Sequence, residues 1–280
     1  MNLGDGFLSQ SSKWLHFGLG SSDAIERVTV RWPDGNTELA RLHFKLADEQ
    51  LELGEVQAAK QNMRAGLQLN PNDAEASHNL GVLLQSGGQH RDAIRHFQQA
   101  LEHGADPFYT HSNLGRSYLA ENQPELGSDH FRRAIKQNPN DGWALGNLAR
   151  ALAMGGKIKE ATIQFRRAVE LNPADVQARS NLARALALSG NVKEAAIHLQ
   201  RVLELEPDNG TAHAYLGAAL LTQDKLDMAI RHLRRAVKLK PNFLPAHQYL
   251  ATALKKSGQL EAANQQLEYI HRLQSNRDPE

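Results

Sequence analysis

Asparagine and arginine recur at a fixed spacing through the middle of the chain, and together they could hold a peptide. The asparagines lie 34 residues apart, and three of them are followed by an arginine three residues later. The residues are Asn79, Asn113, Asn147, Asn181, Arg116, Arg150 and Arg184. An asparagine amide can donate to and accept from a peptide main chain, and a guanidinium can pair bidentately with a carboxylate. The pattern therefore favours recognition of an extended peptide, particularly one with acidic groups.

Two aromatic residues support the same interpretation. Tyr109 and Trp143 each lie four residues before one of these asparagines and could supply anchoring contact area. An asparagine inside a helix costs about 0.5–0.7 kcal/mol relative to alanine, so its recurrence at one register calls for a reason. The alternative is that the asparagines bond between neighbouring helices and that the arginines are only solvated.

Composition and motifs argue against catalysis and metal binding. The chain has no cysteine, which removes disulfides, thiolate metal sites and cysteine nucleophiles. It contains no G-x-S-x-G, P-loop, H-E-x-x-H or calcium-loop motif. Histidine recurs at one register, as His96, His130, His198 and His232. Packed helices lie about 8–10 Å apart, whereas zinc ligands lie about 2.0–2.1 Å from the metal, so these four histidines cannot share one ion. We expect no enzyme, no metal and no cofactor.

Charge gives the chain no global attraction to nucleic acid or to anionic membranes. Lysine plus arginine total 32 and aspartate plus glutamate total 31, for a net charge of +1. A second set of arginines lies outside the asparagine series: Arg132, Arg133, Arg166, Arg167, Arg201, Arg234 and Arg235. We expect these side chains to form a solvated outer face. The alternative is a surface that tracks the phosphates of a nucleic acid.

The elements that position these residues follow from a period of 34 residues. It defines seven units: 40–73, 74–107, 108–141, 142–175, 176–209, 210–243 and 244–277, with a tail at 278–280. Apolar and small residues share one face of a first helix, and proline near unit position 32 ends a second helix. Unit position 15 is glycine in five units and Asn122 or Asp224 in the others. These residues predict a left-handed turn between the two helices.

Small and large residues alternate where the two helices of a unit should meet. Unit position 8 is always glycine or alanine, unit position 20 is also small, and unit position 24 is methionine, phenylalanine or leucine. A large side chain facing a small one lets adjacent helices interlock. In the last unit, Asn264, Lys255 and Lys256 replace part of the apolar pattern, as expected at the polar end of a repeat array.

This pattern resembles the tetratricopeptide repeat family over residues 40–277. The period, the Leu-Gly pair, the Ala-x-x-x-Phe/Leu spacing and the proline all match, whereas the family tryptophan at unit position 4 is replaced. The resemblance implies an all-α fold, a right-handed superhelical solenoid of seven units. It also implies that the first helices line a concave groove that binds peptides through residues such as the asparagines and arginines above.

Residues 1–39 differ from the rest of the chain. Val28, Val30 and Trp32 alternate with polar residues, which predicts a strand, and residues 33–36 predict a turn. We therefore expect a short β-hairpin-like segment. Its elements "LHFGLG" and "VRWPDG" resemble the ASPIC/UnbV family, although the upstream repeats and the return strand of that family are absent.

The first unit has an apolar surface that calls for a cover. Leu42, Phe44 and Leu46 crowd its first helix. We expect the apolar side of the preceding segment, with Val28, Val30 and Trp32, to fold back onto them.

The most consistent function is a non-catalytic scaffold that binds a protein or an extended peptide in the concave groove. One alternative is an accessory region of a larger enzyme or envelope protein, because the asparagine series resembles the repeats of O-linked N-acetylglucosamine transferases. Another is self-assembly through the solenoid ends.

The chain start lacks a signal peptide and no apolar run reaches about 18 residues. We expect no membrane span, no nucleic-acid partner and a cytoplasmic location as written, whereas the ASPIC/UnbV resemblance implies an envelope or secreted origin if the N-terminus is truncated.

Overall fold

The computed structural model describes residues 36–275, and all of the regular structure in that range is helical. Fourteen helices follow one another: α1 Asn36–Glu52, α2 Val56–Leu69, α3 Ala74–Ser86, α4 His90–Glu102, α5 Pro107–Ala120, α6 Pro124–Gln137, α7 Gly142–Met154, α8 Ile158–Leu171, α9 Val176–Leu188, α10 Val192–Leu205, α11 Gly210–Thr222, α12 Leu226–Leu239, α13 Leu244–Lys256 and α14 Leu260–Ser275. The all-α prediction is confirmed. The expected β-hairpin-like segment, its cover over the first unit and the tail at 278–280 lie outside the described residues, except that residues 36–39 belong to α1.

The helices pack as seven sequential pairs. Every helix contacts the next one along the chain, and from α3 to α13 each odd-numbered helix also contacts the odd-numbered helix of the following unit. The even-numbered helices make no comparable contacts with one another within residues 36–275. The odd-numbered helices therefore form the inner layer of a solenoid, and the even-numbered helices form its outer layer.

The turn within each unit has the predicted left-handed backbone. Unit position 15 has a positive φ in all seven units, including Asn122 at 56° and Asp224 at 59°. Glycine, asparagine and aspartate are the residues that tolerate this region, because a larger side chain meets the adjacent carbonyl oxygen there. Gly104 also has a positive φ, of 90°, in the one unit that lacks the closing proline.

The small and large residues meet as predicted. A Cβ added to Gly81 would lie 2.7 Å from the ring of Phe97, and one added to Gly115 would lie 2.7 Å from the ring of Phe131. A Cβ at Gly217 would lie 2.5 Å from Leu233 Cγ. Phe97, Phe131 and Leu233 are fully buried, so the small residue at unit position 8 is what allows each pair of helices to approach.

The two ends of the array differ from its centre. Phe44 in the first unit lies half-buried against Gly66 of α2, so it has a packing partner within its own unit. Leu42 and Leu46 remain 52% and 44% exposed. At the other end Asn264 is exposed, in agreement with the polar character predicted for the last unit.

Candidate functional site

The predicted site residues lie on the inner layer of helices. Their helices are α3, α5, α7 and α9. Arg116 of α5 and Arg150 of α7 line one cleft of about 420 Å³. All four asparagines are half-buried, whereas Arg116, Arg150 and Arg184 are exposed. The predicted ladder therefore presents guanidinium groups to solvent from a single face of the array.

Trp143 and Arg116 make a contact between two units. The guanidinium carbon of Arg116 lies 5.9 Å from the centroid of the Trp143 ring, a distance at which the ring face attracts a cation. Trp143 also meets the ring of Phe131 edge to face, at 6.3 Å. Tyr109, the other predicted aromatic residue, is 62% exposed. The two aromatic residues thus differ in surroundings, because Trp143 contacts an arginine of the preceding unit and the exposed Tyr109 ring meets only that of its neighbour Phe108 among the described aromatic rings, at 5.1 Å.

Arg150 is crowded by another cation. Although the side chain as a whole is exposed, partial burial and then the charge of Arg116 lower the pKa of the Arg150 guanidinium from the ordinary value. Within residues 36–275 no carboxylate lies within ion-pair distance of Arg116, Arg150 or Arg184. Arginine remains charged at neutral pH, so the groove holds cations that have no anion from the described part of the chain.

Three of the outer arginines have the opposite arrangement. Arg132 pairs with Glu160 at 3.3 Å, and Arg166 pairs with Glu194 at 2.8 Å. Each pair joins two successive units. Arg235 of α12 likewise pairs with Asp208, which lies in the loop between α10 and α11. The outer face was expected to be merely solvated, and the structure instead shows exposed side chains that also bridge neighbouring units.

The asparagine side chains do not bond between helices in the described structure. Asn147 Nδ2 donates to the carbonyl of Trp143 on its own helix, at 2.9 Å, and the side chains of the other three make no hydrogen bond to residues 36–275. Other residues bond between α3 and α5: the Gln85 amide donates to the Asn113 carbonyl at 2.8 Å and to Ser117 Oγ at 2.7 Å, and His78 Nδ1 lies 2.9 Å from Thr110 Oγ1. The asparagine amides therefore keep most of their hydrogen-bonding capacity.

The lining of the groove changes beyond Arg184. The asparagine register continues as Tyr215 and Tyr249, and the arginine register continues as Ala218 and Thr252. These residues and Arg184 line a pocket of about 460 Å³ between α9, α11 and α13. Neither Tyr215 nor Tyr249 was predicted as a site residue from the sequence. Their place in the same 34-residue register is the signal that could have identified them.

Two of the recurrent histidines, His130 and His232, each pair with another histidine of the same unit. His130 Nδ1 lies 3.0 Å from His111 Nδ1, and His232 Nδ1 lies 2.9 Å from His213 Nδ1. His213 Nε2 donates to the Pro207 carbonyl at 3.0 Å. Because a carbonyl can only accept, neutral His213 carries its proton on Nε2, and its Nδ1 accepts from His232.

Protonation of His130 and of His232 is unfavourable. Burial, followed by the charges of His111 and Arg133, lowers the pKa of His130 to about 4. Burial and then His213 also lower the pKa of His232.

The two histidine pairs join the helices of their own units, and residues 36–275 contain no cluster of three or more potential metal ligands. The described helices also include none that is long and apolar enough to cross a membrane.

Comparison with protein families agrees with the fold. Four models described as tetratricopeptide repeats match residues 44–110, 130–163, 164–220 and 212–243. A model described as ASPIC and UnbV matches residues 1–59. The ASPIC and UnbV match continues through α1 into α2, beyond residues 1–39, to which the sequence motifs assigned the resemblance.

Individual proteins show the same repeat. Cellulose synthase 1 operon protein C from Komagataeibacter xylinus is 31% identical over 84 residues, which are 30% of this chain and only 6% of that protein. The structure of YrrB, a tetratricopeptide repeat protein with an unusual peptide-binding site, has a TM-score of 0.58 at 24% identity and covers 66% of this chain and 95% of its own. A tetratricopeptide repeat protein from Parabacteroides merdae has a TM-score of 0.66 at 14% identity and covers 84% and 93%. The repeat matches together span more than half of the chain, which therefore belongs to the tetratricopeptide repeat family.

Proposed function

We propose that the chain is a non-catalytic scaffold that binds an extended stretch of another protein along its groove. The observation that carries this proposal is the contrast between the two sets of arginines. Arg132, Arg166 and Arg235 on the outer layer pair with carboxylates of neighbouring units, whereas Arg116, Arg150 and Arg184 on the inner layer have no such partner within residues 36–275. A partner that brings carboxylates into the groove supplies the missing anions.

The asparagines act on the main chain of the partner in this proposal. Their amides are half-buried and largely without partners among the described residues. An amide that can both donate and accept suits a peptide backbone of any sequence. Tyr109, which is 62% exposed, supplies apolar contact area at the edge of the groove. The arginines then select for acidic side chains.

The similarity to YrrB supports peptide binding, because the description of that protein includes a peptide-binding site. The match to cellulose synthase 1 operon protein C covers a small part of a long protein, and tetratricopeptide arrays also occur as parts of larger chains. The proposal therefore concerns the array itself.

A pair of triple variants tests the proposal. The groove variant replaces Arg116, Arg150 and Arg184 with alanine. The control variant replaces Arg132, Arg166 and Arg235 on the outer layer, which removes the same net charge from side chains that are also exposed. The ligand is a labelled pool of random peptides with fixed aspartates, compared with the same pool carrying asparagine at those positions.

We expect the acidic pool to bind the wild type and the outer variant alike and to bind the groove variant at least tenfold more weakly in fluorescence anisotropy. A charge-assisted hydrogen bond contributes about 1.5–3 kcal/mol, so losing even one accounts for a tenfold change. Equal weakening in the two variants would show that only net charge matters and would refute groove recognition. Thermal unfolding of both variants checks that the fold is retained.

A further inference from the structure

The groove has two chemically different halves, and the second half is an apolar pocket. The pocket lies between α9, α11 and α13, and Tyr215, Tyr249 and Ala218 contribute to its lining. Its volume of about 460 Å³ falls in the range of about 300–1,000 Å³ that is typical of ligand sites. We propose that this pocket receives one large apolar side chain of the same acidic peptide that the arginines bind. This inference rests on the proposed function.

The register explains why a pocket exists at this place. Unit position 9 is arginine in units 108–141, 142–175 and 176–209. The equivalent residues of the next two units are Ala218 and Thr252. Replacing a long cationic side chain with a methyl group leaves space above α11, and the floor of that space includes Leu199 of the outer layer. The apolar rim continues in Leu188, which is 67% exposed. A large apolar ligand group would cover that side chain.

The positive charge of Arg184 beside the pocket indicates which group the ligand should carry next to its apolar side chain. Arg184 is the one charged side chain in the described lining of the pocket, and no carboxylate of residues 36–275 pairs with it. An apolar occupant of the pocket is thus placed beside an unpaired cation. An acidic group close to the apolar one in the ligand satisfies both features at once.

The helix spacing sets the distance between the two ligand groups. Arg184 belongs to α9, and the space above Ala218 belongs to the next inner helix, α11. Packed helices lie about 8–10 Å apart, and an extended chain advances about 3.3 Å per residue. The acidic residue and the large apolar residue of the ligand therefore lie about three residues apart, or closer.

Two peptide sequences and three proteins, together with one control variant, test this inference. The first peptide is short, amidated and fluorescein-labelled, with aspartates placed three residues from a leucine, and the second has serine in place of the leucine. Each is made in both chain directions. The proteins are the wild type, Ala187→Phe, and the Arg116, Arg150 and Arg184 triple alanine variant. Ala187 is exposed and lines the pocket, so phenylalanine there fills the pocket and leaves the arginines in place.

A matched variant controls for the added aromatic ring. Gln200→Phe introduces the same side chain at an exposed position of α10, away from the pocket. We expect the leucine peptide to bind the wild type and Gln200→Phe about tenfold more tightly than the serine peptide, because a buried leucine side chain is favourable by more than the equivalent of that factor. Ala187→Phe should bind the two peptides with equal affinity. That affinity should match the one that the wild type has for the serine peptide.

The outcomes separate the two proposals. If both peptides bind the wild type with equal affinity and both are lost in the triple arginine variant, the pocket inference is wrong and groove recognition stands. If neither peptide binds, or if the triple variant binds like the wild type, the proposed function fails and the pocket inference fails with it. A leucine preference that survives Ala187→Phe would also overturn the inference, because the leucine would then bind elsewhere.

Discussion

Adding one methyl group at Gly217 should destabilise the protein, whereas adding it at Gly146 should stabilise it. Both glycines lie inside a first helix, Gly217 in α11 and Gly146 in α7. A Cβ at Gly217 would lie 2.5 Å from Leu233 Cγ and 3.2 Å from the carbonyl oxygen of Ala229, whereas a Cβ at Gly146 would have no neighbour within 4 Å. Gly146→Ala is thus a matched control for the change in helix propensity.

The expected size follows from two opposing contributions. Replacing glycine with alanine inside a helix stabilises it by about 0.5–1 kcal/mol. Overpacking a buried contact costs about 1–3 kcal/mol, and Leu233 is fully buried. Gly217→Ala should therefore lose about 1 kcal/mol net, which lowers the melting temperature by a few degrees for a protein of this size. Gly146→Ala should raise it by a similar or smaller amount.

Far-ultraviolet circular dichroism during thermal and urea unfolding measures both changes. Alanine occupies the equivalent position in four other units, so the penalty has to come from the close contact in this unit and not from the residue type. In a Leu233→Ala background the loss from Gly217→Ala should shrink, because Leu233 Cγ and Cδ2, the contacting side-chain atoms, have been removed. The packing argument is refuted if Gly217→Ala is as stable as Gly146→Ala.

Three further results are expected. The folded-state pKa of His130 is about 4, below the ordinary value of 6.5, so the native state binds fewer protons and stability should fall as the pH falls from about 6.5 to 4. After a discount for its partial exposure the loss is roughly 1–2 kcal/mol, and urea unfolding of His130→Gln should show a flatter pH dependence. Arg166→Gln, which breaks the exposed pair with Glu194, should cost less than about 1 kcal/mol, and a double-mutant cycle at high salt should find less still. Removing residues 1–35 should lower the melting temperature if that segment covers the exposed Leu42, and an unchanged value would contradict the proposed cover.

Features that depend on a few neighbouring residues could be predicted from the sequence. The left-handed turns at Asn122 and Asp224 follow from the local steric limits of the backbone, so residue type alone was enough to predict them. Aspartates at the N-caps of first helices are another local signal, although no prediction was based on them. Asp73, Asp141 and Asp175 recur in the 34-residue register, and each accepts a hydrogen bond from the backbone N–H three residues later.

Polar pairings between distant residues were not predicted. Arg166 and Glu194 lie 28 residues apart and belong to different units, and His111 and His130 lie 19 residues apart on two helices. Their contact depends on how the helices pack and on the rotamers chosen there. A single-helix pattern places each residue on a face and carries no information on which residue of another helix it meets.

The sequence by itself determined the period, the helical pairs and the positions of the asparagines and arginines, because a 34-residue repeat forces equivalent residues into equivalent places. Only the tertiary structure decided which arginines have carboxylate partners and which do not. It also decided that Ala218, beside Tyr215 and Tyr249, leaves a pocket next to Arg184. Cavities and ion pairs are properties of the space between helices, and that space is set by the packing of side chains from several units at once.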